Sequence, residues 1–144
     1  MTRVAVRPPA WFWIAGTLLL LWAVIGVASF ATDPAVTRAT VAMTDYDRQL
    51  YASRPIWTFV AYGIGTVAGL IGSVALMLRR RDTTVWYGVS LVAVVILFGY
   101  MLGFTSLIAV KGFATAALFP IVIALIGVAE FALARHAARR GWIA

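Results

Sequence analysis

Four long apolar runs, each closed at both ends by charged residues, make up most of the chain. No charge falls at 8–32 between Arg7 and Asp33, at 55–78 between Arg54 and Arg79, at 83–110 between Asp82 and Lys111, or at 112–129 between Lys111 and Glu130. A helix rising about 1.5 Å per residue needs about 20 apolar residues to cross a hydrocarbon core of about 30 Å, and these runs meet or nearly meet that length. Lipid offers no partner to an open backbone N–H or C=O, so the spans are expected as helices; the two-residue alternation of barrel strands is absent. The pattern predicts an all-α membrane protein, a four-transmembrane-helix bundle with spans at about 10–31, 56–78, 84–107 and 112–135. Residues 1–144 are read as a single integral membrane domain. Arg3 and Arg7 precede the first run as in a signal peptide, but Trp11 to Phe30 is long for such a segment and carries three tryptophans, so a retained span is expected.

Between helices 1 and 2 the polar positions predict a short extracytoplasmic helical loop, 32–55. Asp33-Pro34 reads as a helix start running to about Met43. Thr44, with Asp45 and Asp47 behind it, reads as a second start, the acidic groups lying at the positive end of the helix dipole. Tyr46, Leu50 and Tyr51 share one face of that second helix, which suits a helix lying flat on the membrane or a lid over an outward-facing cavity. If the loop holds a binding or gating site, Asp45, Asp47, Arg48 and Arg54 are its candidates.

Composition sharpens the membrane reading. Hydrophobic residues make up 63% of the chain and charged ones 12%, against about 25% charged in a soluble domain. The net charge of +7 does not indicate nucleic acid, because the basic residues cluster at the ends of apolar runs. Arg3, Arg7, Arg79, Arg80, Arg81, Arg135, Arg139 and Arg140 fall on one side of the predicted topology, and Arg38, Arg48, Arg54 and Lys111 on the other. The richer side is expected in the cytoplasm, which puts both termini there and the protein in the bacterial inner membrane. Trp11, Trp13, Trp57, Trp86, Tyr87 and Trp142 are expected at the headgroup level, and Arg79, Arg80, Arg81, Arg139 and Arg140 against lipid headgroups.

Within the spans, Ala61, Gly65, Gly69 and Ser73 recur every four residues with Gly72 beside them, and Gly99 and Gly103 form a second pair. Small residues so spaced let helices approach closely, either inside the bundle or against another membrane protein or a second copy. Pro120 is expected to kink the fourth span. Tyr62, Thr66, Tyr100, Thr105 and Thr115 either line a small polar cavity or bond to their own helices. Glu130 is expected at the membrane edge, snorkelling or pairing with Arg135 or His136, with gating or binding as the alternative role.

Catalytic and cofactor chemistry find little to build on. There is no cysteine, His136 is the single histidine, and the methionines are scattered at 1, 43, 77 and 101. Thiolate, bis-histidine and paired-methionine sites are therefore excluded, and no nucleophile–base arrangement or phosphate loop is present. No cofactor and no metal are expected.

Pro9-Ala10-Trp11-Phe12-Trp13, then Leu21-Trp22 and Gly26, then Leu50-Tyr51-Ala52-Ser53-Arg54-Pro55-Ile56-Trp57, Gly69-Leu70-Ile71-Gly72-Ser73 and Arg79-Arg80-Arg81 resemble a group of small four-helix bacterial inner-membrane proteins. That group is uncharacterised, with some members loosely labelled sugar transporters. The resemblance spans about 9–100 and implies the same fold and location. The expected function is that of a non-enzymatic accessory or assembly subunit on a larger membrane complex. A small oligomeric transporter or channel, or a structural and lipid-organising bundle, are the alternatives.

Overall fold

The computed structural model describes residues 6–33 and 43–144. Each apolar run folds as one long helix: α1 (Ala10–Ala31), α3 (Ile56–Met77), α4 (Thr83–Gly103) and α6 (Phe113–Arg139). Two short helices, α2 (Asp45–Ser53) and α5 (Leu107–Lys111), complete the set, and no strand occurs among the described residues. The four long helices pack in chain order, α1 on α3, α3 on α4, α4 on α6. Both termini thus share one end of the bundle (the terminal end), and α2 and α5 lie at the other (the loop end).

The predicted starts and stops hold where side chains write them. Thr44 caps α2, accepting from the Asp47 backbone N–H at 3.1 Å while its hydroxyl donates to Asp47 Oδ2 at 2.7 Å. The helix expected from Pro34 to Met43 falls largely on 34–42, outside the described residues. Two boundaries differ from the hydropathy pattern. The third span stops at Gly103 rather than near 107, because Thr105 turns its hydroxyl onto the Met101 carbonyl and offers its oxygen to the Leu107 N–H at 3.4 Å. Gly112, at φ 80°, then separates α5 from α6. The fourth helix, unbroken through Pro120, continues past 135 to Arg139 because Ala137 and Ala138 sustain a helix where hydropathy no longer does.

At the terminal end, α3 and α6 finish in the same way. Each places a residue in the left-handed region and folds back two N–H groups onto the last turn. In α6 that residue is Gly141 at φ 71°, with Trp142 N bonded to Ala137 O at 2.9 Å and Gly141 N to Ala138 O at 3.2 Å. In α3 it is Arg79 at φ 58°, with Arg80 N bonded to Ala75 O at 2.8 Å and Arg79 N to Leu76 O at 3.0 Å. A non-glycine residue there costs about 1–2 kcal/mol, so Arg79 must be held by something else.

Its side chain does the holding. Nε donates to Trp142 O and Nη2 to Val6 O, both at 2.7 Å, while the Arg79 carbonyl accepts from Ala144 N at 2.8 Å. The turn that ends α3 therefore ties the segment before α1 to the tail after α6. Under this knot lies the hydrophobic centre, in which Phe12, Leu76, Tyr87, Ala134, Ala137, Trp142 and Ile143 are buried together. The Trp142 ring packs edge-on to Phe12 and Trp11 at 5.8 and 5.3 Å. Two aromatics expected at the headgroup level thus belong to the interior. Tyr87 is fully enclosed and Trp142 closes the terminal end, because the left-handed turn at Gly141 directs the tail back over the bundle.

Candidate functional site

At the loop end, the four polar residues singled out in the loop are all engaged by neighbours. Arg54 pairs with Asp33 at 3.2 Å, both side chains nearly buried, and its guanidinium lies over the Tyr51 ring at 4.8 Å. This pair joins the end of α1 to the start of α3. Asp47 accepts from Lys111 Nζ at 2.7 Å, and Tyr46 shares a hydrogen bond of 3.1 Å with Ser106, so α2 is tethered to the α4–α6 connection. The Lys111 ammonium, with the Thr44 hydroxyl, holds the Asp47 carboxyl below its ordinary range. Asp45 and Arg48 form an exposed pair at 3.2 Å. The chemistry of this loop is fastening.

The small residues of the second span do bring helices together. Gly65 lies against Ala93 and Val94, Gly69 against Ser90, and a Cβ on Gly72 would fall 2.8 Å from the Tyr87 ring. Ser90 Oγ donates to Gly65 O at 2.7 Å. Ser73 Oγ and Tyr87 OH lie 3.0 Å apart, and Ser73 reaches Leu19 O at 3.4 Å, so one hydroxyl pair links α1, α3 and α4. Ala61 instead lines an apolar groove along the α3–α4 seam, about 530 Å³ in volume, with Ile64, Val85, Val89, Val92 and Ile96. Gly99 and Gly103 do not pack inside the bundle: nothing lies within 4 Å of a Cβ built on either, which leaves the alternative of another protein or a second copy.

The polar positions inside the spans mostly answer to their own helices. Thr66 donates to Tyr62 O at 3.0 Å and Thr115 is exposed. Tyr100 packs edge-on to Trp57 and stacks with Phe104. In the basic turn, Arg79 is taken up by the knot and Arg80 by Asp82 at 3.1 Å, which leaves Arg81, Arg139 and Arg140 exposed for lipid headgroups. Arg79 is the correction here, since its left-handed backbone points the guanidinium inward.

Glu130 is the second correction. It pairs with neither Arg135 nor His136, and only 5% of its surface is exposed, so it does not snorkel out of the bundle. Arg135 lies over the Phe131 ring at 5.8 Å, and His136 packs on Trp142 and Trp11 at 5.2 and 6.4 Å. The α4–α6 seam around Glu130 is set by Gly127 against Leu91 on one side and Phe131 against Gly88 on the other, with Tyr87 as its electrostatic neighbour. Among the described residues no hydrogen bond or ion pair reaches the carboxyl. Burying a lone carboxylate costs several kcal/mol, so a carboxyl here is costly to keep ionised. The Thr84 hydroxyl, buried and without a partner among the described residues, lies on the same seam, four residues before Gly88.

Four helices long and apolar enough to cross a membrane make this chain a multi-pass integral membrane protein. Compared with known proteins, it matches no family model, no curated protein and no solved structure. Its role must be read from its own residues.

Proposed function

We propose that the chain is a non-enzymatic accessory subunit of the bacterial inner membrane, with both termini cytoplasmic, that docks on a larger membrane protein. The α3–α4 groove supports this reading best: it is open, apolar, at span depth and floored by Ala61, Gly88 and Ala93, which suits a transmembrane helix of the partner. The exposed Gly99 and Gly103 extend the same small-residue character along α4. A photo-crosslinking side chain at Val92 should capture a partner in fixed ratio from native membranes, whereas one at Ile14 on α1 should capture lipid. Equal capture at both positions, or an intact species that weighs as the chain alone, would sink the docking reading. A reporter at Ala144 that reads periplasmic would overturn the orientation.

Transport of a small solute is the second reading, implied by the family resemblance and favoured by one observation, the unpaired Glu130. Carriers and pumps place buried carboxylates where a charge must be taken up and released. Uptake that is lost in Glu130→Gln while expression stays normal would favour it over docking.

A further inference from the structure

We propose that Glu130 is a proton-binding site, largely buried on the α4–α6 seam. The assignment does not rest on the docking reading, and it names the ligand that the transport reading leaves open. Its ground is geometric. A buried carboxyl needs a cation, a set of hydrogen-bond donors or a proton to balance its charge, and the structure assigns the first two elsewhere.

Among the described residues, no element packed round the site brings it a counter-charge. The only ionisable side chain on α3 is Tyr62, at the loop end, and α1 carries none. From α4 the ionisable neighbour is Tyr87, whose hydroxyl pairs with Ser73. On α6 itself, Arg135 lies over Phe131 and His136 against Trp142. At the terminal end, Arg79 is held by the carbonyls of Trp142 and Val6. Water from that end meets the buried Phe12, Trp142 and Ile143, with Ala134 one turn above them and Glu130 one turn further in. The proton is the balancing charge that the described surroundings admit.

A membrane-soluble carbodiimide tests this on the full chain in native membranes. A protonated carboxyl adds across the carbodiimide, its proton going to nitrogen, while a carboxylate does not react. The wild type should acquire one adduct, mapped by peptide mass to Glu130. Labelling should fall about tenfold per pH unit once the titration range is passed, and Glu130→Gln should acquire none. Because the adduct is located in the wild type, the result stands even if the variant folds poorly. Absence of an adduct on Glu130 at every pH would overturn the assignment. So would equal labelling by a water-soluble carbodiimide, which would mean the carboxyl is open to solvent. Protection by sodium at fixed pH would reassign the site to a metal cation.

Discussion

Gly72 and Gly99 are both small residues on facing transmembrane helices, yet they do opposite things. A Cβ on Gly72 would press into the Tyr87 ring at 2.8 Å, whereas one on Gly99 would meet nothing within 4 Å. Gly72→Ala should therefore lower stability by about 1–3 kcal/mol, the usual cost of overpacking. Gly99→Ala should leave the isolated chain unchanged or raise its stability by up to about 1 kcal/mol through helix propensity. Thermal unfolding of the two variants in the same detergent decides the matter, and equal destabilisation would show that the α4 face is covered after all. Four-residue spacing was legible in the sequence, and it identified a face. It did not identify the neighbour, because a helix's own periodicity says nothing about which helix approaches it. Glu130 was misplaced for a related reason. Hydropathy ends the fourth span at 135, but α6 runs on to Arg139 and Trp142 folds back over its end, so the carboxyl is covered by its own bundle.

At the scale of elements, helix ends were written most clearly where a cap has a side-chain signature. Thr44 with Asp47 was such a case. Asp47 is also the group through which pH acts on α2. Its carboxyl is held below the ordinary range by Lys111, so the stabilisation is complete above the unfolded-state value and is lost as pH falls through the lowered native one. Amide exchange in Asp45–Ser53 should accelerate on acidification, and Lys111→Ala should bring the faster exchange at neutral pH for a loss of at most about 1 kcal/mol. Exchange in α2 that ignores both changes would mean another contact holds it. The Arg54–Asp33 pair should matter more: Arg54→Ala removes a nearly buried charge-assisted hydrogen bond and should cost about 1.5–3 kcal/mol in thermal unfolding. The turn at Arg79 carried no such signature, since an arginine triplet after an apolar run reads as a topology signal. Arg79→Ala keeps the left-handed backbone and loses both guanidinium bonds, so it should destabilise by about 1–3 kcal/mol. Arg79→Gly relieves the backbone and should be milder by about 1 kcal/mol. Proteolysis of the tail after Arg140 should follow the same order.

At the scale of the molecule, the charge placement that defined four spans was sufficient for the architecture, because membrane helices must satisfy their backbones internally and short connections make sequential neighbours. What charge and hydropathy do not encode is closure between first and last helices. That closure lies in Val6, Arg79 and Trp142, residues separated by 63 and 73 positions from the arginine that joins them. Contacts between neighbouring helices form first and distant ones last. During synthesis, then, α1 enters the membrane with its outward-facing side in lipid and little of it enclosed, and α3 ends on a strained arginine with only the Val6 carbonyl to bind. Only when Trp142 has been made does that arginine find its second carbonyl, beside that of Val6. A chain cut between Arg140 and Trp142 would insert all four helices and still be unfastened, so that the turn after α6 acts as the clasp on a structure otherwise already in place.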